Sequence, residues 1–318
     1  MRLACVFLVA WAMALLAAAP ARAANSLSVT QYGVAATALP WGVALQEGFL
    51  RQSVLDIDGI VSSSGGGTSV RNMMASGVPF GEVATSAGIA AVQAGLDISF
   101  VYSANNNPGG LLWMTLPNSP VKTVADLKGQ KLGFSNPRST TEMFLYLVLH
   151  EAGLDNQVML VATGGIPAGW TMLDQGFLAA VPVDDPAFMP KDKYRILFSV
   201  RDYVPMATWT VGITTRAYAK EQPEIVRGLI LARRKAVDFM AAHPEAAAKI
   251  FARDWQFDES VAVELLRRLM AIDYFSRGDF NMGGLQAMMA GMKLAGALEK
   301  PVDVASLIDK SFLPEDLR

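Results

Sequence analysis

The alternation of apolar and polar positions divides the chain into short strand-like runs separated by stretches with helical spacing. Residues 27–31, 54–61, 80–84 and 98–102 read as strands. Between them, residues 39–50 and 86–94 repeat their apolar positions as helices do, the first with Pro40 in its opening turn and Gly48 near its end. Thr68 or Ser69 is placed to cap a further helix, whose Val70, Met73 and Met74 share one face and whose end falls at Gly77. A second set begins after Asn105-Asn106-Asn107-Pro108-Gly109-Gly110. It has strands at 131–134, 158–162, 178–183 and 194–200, and helices at 140–152 and 167–175. The apolar runs 111–116 and 209–214 read as strands that cross between the two sets. From Ala217 onward the spacing is helical almost throughout, and this tail is expected to pack on the first set. Strands alternating with helices predict an α/β protein with mostly parallel sheets.

The turn at Ser64-Gly65-Gly66-Gly67-Thr68-Ser69 joins a strand to a helix. Such a turn points unpaired backbone N–H groups and the positive end of a helix at one spot, and glycine lets a ligand approach the backbone. The same pattern also suits a plain surface loop. On the binding reading, Gly66, Gly67, Thr68 and Ser69 are site residues. Valine in place of Gly66 is then expected to abolish binding while the fold survives.

The first residues have a different character. Arg2, an apolar run over 6–19 and the small-x-small sequence Ala21-Arg22-Ala23 match an export leader, and residues 1–23 are expected to be removed. The single cysteine, Cys5, lies in that leader, so the mature chain of about 295 residues has no disulfide or thiol chemistry. That length favours two domains. A formal net charge of −2 argues against a nucleic-acid partner. The mean hydropathy of +0.29 owes part of its value to the leader and to alanine, and no later run is long and apolar enough to span a bilayer.

Covalent and metal chemistry find little material. The two histidines, His150 and His243, stand apart at helix ends without ligand spacing. There is no Gly-x-Ser-x-Gly elbow, and the glycine turn lacks both the Lys-Ser/Thr ending of a P-loop and the third glycine of a dinucleotide fingerprint. Asp184-Asp185-Pro186 reads as a strand-end turn in preference to a metal site.

Three stretches carry a resemblance. Leu39-Pro40-Trp41 with Glu47-Gly48-Phe49 resembles the first helix of NMT1/SsuA-like periplasmic substrate-binding proteins, with Leu50 where the family has a second phenylalanine. Asp126-Leu127-Lys128-Gly129-Gln130-Lys131-Leu132-Gly133 resembles the family's Asp-Leu-Lys-Gly stretch, and Leu149-His150-Glu151-Ala152-Gly153-Leu154 its helix end. Gly77-Val78-Pro79-Phe80-Gly81 departs from it by lacking an aspartate.

The resemblance implies a two-lobed type II periplasmic binding protein with the ligand in the cleft between lobes and a helical C-terminal tail. Lobe one would comprise residues 25–111 and 211–318, lobe two residues 112–210. It also implies a monomer in the periplasm that hands a small organic solute, an anion such as a sulfonate or carboxylate or a small heterocycle, to an ABC permease and its ATPase. No cofactor or metal and no catalysis are expected. A periplasmic sensor, or an enzyme of the same fold acting on pyrimidine or thiamine precursors, is the alternative. In such sheets ligands bind beyond the carboxyl ends of the strands. The loops there give the remaining expected ligand contacts: Ser86, Arg138 as counter-charge, Ser139, Thr140 and Asp184. Trp41 and Trp209 suit either a cleft wall or the core.

Overall fold

The computed structural model describes residues 25–318 except 53, 54, 58, 64, 186–188, 190 and 191. The expected leader, with Cys5, lies outside the described residues. The first sheet collects β1 (Ser26–Thr30), β2 (Gly59–Ser63), β3 (Phe80–Ala84) and β4 (Ile98–Ser103), interleaved with α1 (Leu39–Gln46), α2 (Gly67–Ala75) and α3 (Thr85–Gln93). The chain then builds β5 (Leu112–Thr115), β6 (Lys131–Phe134), α4 (Thr140–Glu151), β7 (Met159–Ala162), α5 (Ile166–Asp174), β8 (Val181–Val183) and β9 (Arg195–Ser199). It returns with β10 (Thr210–Thr215) and ends in α6 (Arg216–Glu221), α7 (Pro223–Ala242), α8 (Pro244–Trp255), α9 (Glu259–Ala271) and α10 (Met282–Leu294).

The strand order of the first sheet is β2-β1-β3-β10-β4. β1 runs parallel to β2 and β3, whereas β10 is antiparallel to both its neighbours. In the second lobe, β8-β5-β9 and β6-β7 are joined by backbone bonds from Gly133 to Ala180 (2.9 Å) and from Ala179 to Lys131 (2.8 Å). The resulting order, β7-β6-β8-β5-β9, repeats that of the first sheet. In each, one strand runs against its two partners. The sheets are therefore mixed where the alternation alone predicts mostly parallel ones.

The two runs expected to cross between lobes do not. β5 belongs wholly to the second sheet and β10 wholly to the first. The crossings are residues 104–111 and 200–209, which lie side by side: Val200 N–H bonds Leu111 O (3.1 Å), Ala207 N–H bonds Asn106 O (3.2 Å) and Ala104 N–H bonds Thr210 O (3.1 Å). The three asparagines serve this junction. Asn105 Oδ1 accepts from the N–H groups of Trp209 and Thr210, Asn106 Nδ2 donates to Asp273, and Asn107 holds Ile272 O and the Gly109 N–H.

The tail departs from expectation as well. α7 and α8 pack on α1, but α10 packs on α4 of the second lobe and on α3 of the first. Gly291 makes that contact close, since a Cβ there would meet Met143 O at 3.0 Å. One apolar core runs from Leu27 and Phe100 through Phe134 and Val148 to Met288. Inside the first lobe lies a buried ion pair: Arg233 Nε bonds Glu82 Oε2 (2.9 Å), and neither side chain reaches solvent. Trp41 Nε1 and Tyr102 OH donate to the same oxygen and Thr210 Oγ1 to the other, while Arg233 also bonds Ala104 O and Ser276 O. Burial, and then the Glu82 charge, hold the Tyr102 phenol well above its ordinary pKa. The Tyr102 ring lies where a Cβ on Gly212 would stand, so β10 can pass it only with glycine.

Candidate functional site

Between the sheets lies a cleft of about 310 Å³ at the carboxyl ends of strands from both lobes. From the first lobe come Thr30 at the end of β1 and Gln31 after it, Gly65 to Thr68 after β2, and Ala84 at the end of β3. The second contributes Ser135 and Asn136 after β6, Ser139 to Thr141 at the start of α4, Gly164 and Ile166 after β7, and Asp184 after β8. Trp209 and Thr210, at the return crossing, close the wall.

The chain folds this way locally because its turns leave helix starts open. Gly66 precedes α2 at φ 58° and ψ −146°, and no side chain caps that helix. Gly165 precedes α5, again without a side-chain cap. First-turn N–H groups of both helices are thus left for another partner. α4 differs: Ser139 caps it by accepting from Glu142 N–H (3.3 Å). Thr141 Oγ1 then fixes the loop, accepting from Ser135 N–H (3.0 Å) and sharing bonds with the Ser135 and Ser139 hydroxyls. Thr141→Val keeps the shape but strands the Ser135 N–H. It is expected to cost about 1–3 kcal/mol, read as a lower urea midpoint at unchanged m.

Asp184 carries the cleft's charge. Its Oδ2 accepts the Ala36 N–H (2.8 Å) across the cleft, from the helical turn that leads into α1. Burial lifts its carboxyl from 3.8 to about 7; the Ala36 bond opposes that rise and the Asp185 charge adds to it. Asp185 itself pairs with Arg268.

Of the residues expected from sequence, Gly66, Gly67, Thr68, Ser139, Thr140, Asp184 and Trp209 line the cleft. Four do not. Trp41 is fully buried with its N–H on Glu82, because α1 turns that face into the core. Ser69 is buried in the first turn of α2, with its hydroxyl on Ser63. It and Thr68 therefore cap nothing. Ser86 sits at the rim, where its hydroxyl bonds Arg138 O (3.4 Å). The Arg138 guanidinium lies out in solvent, 3.5 Å from Glu299. The Gly66→Val expectation also needs correction: space around Gly66 is open, but its backbone angles are strained for any side chain, so valine there would perturb the fold itself. Thr30, Gln31, Ala35, Leu111 and Thr210 line the cleft without having been singled out. Strand periodicity gives no signal for them, since they matter only where the two sheets end together. Among the described residues no group of three or more His, Cys, Asp or Glu could hold a metal ion, and no helix is long and apolar enough to cross a membrane.

Two mixed sheets of one order, joined by paired crossings with a cleft at their carboxyl edges, define the two-lobed periplasmic binding protein fold. The sulfonate-binding protein SsuA of Xanthomonas axonopodis pv. citri, bound to MOPS, superimposes with a TM-score of 0.73 at 18% identity, over 89% of this chain and 98% of that one. SsuA of Escherichia coli, an aliphatic sulphonate binding protein, gives 0.72 at 19% identity, over 89% and 97%. The desulfurization enzyme DSZB shares the fold at 0.62 and 12% identity, over 91% and 97%. The profile of the family described as NMT1/THI5 like matches residues 36–247, and the chain belongs to that family. No curated protein sequence matches it.

Proposed function

We propose that this chain is the solute-binding component of an ABC-type importer, holding a small organic solute between its lobes and presenting it to a permease and its ATPase. The carrying observation is the cleft itself, where hydroxyls of Thr30, Thr37, Thr68, Ser135, Ser139 and Thr140 meet the uncapped starts of α2 and α5. Convergent donors of this kind suit an acidic or strongly polar group on the solute. Membership of the family and the likeness to sulfonate-binding proteins support the same reading.

The division into lobe one (25–111 and 211–318) and lobe two (112–210), removal of residues 1–23 on export, a periplasmic location and a monomeric state go with it. The protein acts without turning its solute over. The Ser135, Ser139 and Thr141 hydroxyls bond one another, and no histidine or lysine among the described residues lines the cleft to serve as their base. A thermal-shift screen of the mature protein against organic anions, heterocycles and amines tests the proposal. A true solute at a hundred times its Kd stabilises the native state by about 2.7 kcal/mol. Product formation from a stabilising compound would replace the transport reading with an enzymatic one.

A further inference from the structure

We infer that the solute carries a protonated nitrogen, an ammonium or amidinium group, seated on the Asp184 carboxylate in the cleft beside the Trp209 indole. The inference rests on the solute-binding reading and narrows it. Asp184 is 8% exposed, and its one hydrogen-bond donor among the described residues is the Ala36 N–H. A buried carboxylate needs a cation or several donors to offset its lost hydration. Asp184 is the only ionisable residue among the described residues lining the cleft, and none of these residues brings a cation into contact with it. The charged groups near it among the described residues do not supply one. Asp185 is negative and already holds Arg268, while Tyr274 has its phenol raised by burial and by the charge of Asp184 itself. Arg71 reaches only the rim, through Thr68, and Arg138 faces Glu299.

The aromatic wall fits the same group. Trp209 lines the cleft, and indole is the best aromatic partner for an ammonium or guanidinium. Its Nε1–H is buried with no partner among the described residues, a donor that an acceptor on the solute can take up. The cleft thus offers two unlike ends: open helix starts and hydroxyls for an acidic or polar group, and a carboxylate for a cation. A solute with an acid alone would fill the first and leave Asp184 uncompensated. The upward shift of the Asp184 carboxyl agrees with a site poised to lose its proton when a cation arrives.

Matched compounds that differ only in the nitrogen provide the test. Butanoate is paired with 4-aminobutanoate, and benzoate with 4-(aminomethyl)benzoate, in thermal shift and calorimetry on the mature protein. The amino member of at least one pair is expected to bind about tenfold or more tightly than its partner, and Asp184→Asn to erase that difference. Binding of the amino compound should strengthen about tenfold from pH 6 to pH 8 as Asp184 ionises, a dependence lost in the variant. Asparagine can still accept the Ala36 N–H, so the ligand-free variant should melt at or above the parent at pH 8. Nitrogen-free acids that bind as well as their amino partners, or a preference that survives Asp184→Asn, would overturn the inference and leave the solute-binding reading standing. If no compound of either kind, nor any in the wider screen, shifts the melting temperature, both fall together.

Discussion

Arg233→Met is expected to lower the free energy of unfolding by about 3–5 kcal/mol, enough to threaten the native state of a domain of ordinary stability. The guanidinium is 1% exposed and makes three bonds, to Glu82, Ala104 O and Ser276 O. Its Cζ also lies 5.0 Å from the Tyr102 ring centre. Without it, Glu82 stays buried with only the Trp41, Tyr102 and Thr210 donors, and two backbone carbonyls lose a partner. Most of the loss comes from the stranded charge. The double variant Glu82→Gln/Arg233→Met should therefore recover about 1–2 kcal/mol over the single one, because a neutral amide oxygen can still accept from Trp41 and Tyr102 while its NH2 donates to the Thr210 hydroxyl. Urea unfolding of the parent, both single variants and the double variant reads this as a coupling energy. If Arg233→Met unfolds like the parent, the pair is not a stabilising element of the first lobe.

Thr140→Trp is expected to abolish solute binding, by about a hundredfold or more, while the ligand-free protein melts as before. Thr140 is the first residue of α4 and half-buried on the cleft wall. Its side chain makes no hydrogen bond among those between described residues, so little is lost by removing it. Indole in its place would occupy much of a space of about 310 Å³. Calorimetry with whichever compound the screen identifies, run beside a thermal melt, separates blockade from unfolding. Undiminished affinity in a folded Thr140→Trp protein would show that the solute lies elsewhere. This variant answers the question that valine at Gly66 cannot, since Gly66 occupies a backbone conformation reserved for glycine.

Local pattern carried much of this architecture. β3 and β6 begin and end where alternation places them, and the glycine turn, the α4 start and the Asp184 turn, each expected at a strand's carboxyl end, all line the one cleft. What escaped was set by residues far apart in the chain. Glu82 is a single charged residue in an otherwise apolar strand, and its burial depends on Arg233, which meets it from α7 more than a hundred residues later. Trp41 reads equally as wall or core, and only the Glu82 acceptor decides for core. Nothing local to 209–214 reveals that this run inserts antiparallel between β3 and β4. The cap of α2 falls at Gly66, two or three residues before Thr68 and Ser69; these are good capping types, and the backbone angles of Gly66 cannot be read from its neighbours.

The pairing of the two crossings bears on how this protein can be re-engineered. Because Leu111 O and Val200 N–H lie 3.1 Å apart at the second-lobe ends of the crossings, the stretch between them begins and ends at a single point. Such a segment is a cassette, and insertions with adjoining ends are the kind that chains accept most readily. A second lobe from another binding protein of the same strand order could be grafted at that point to give a chimaera with a new specificity. The matching contacts to preserve would be the seam where Gly291 of α10 meets Met143 of α4, the Ala36 bond to Asp184 and the Arg268–Asp185 pair.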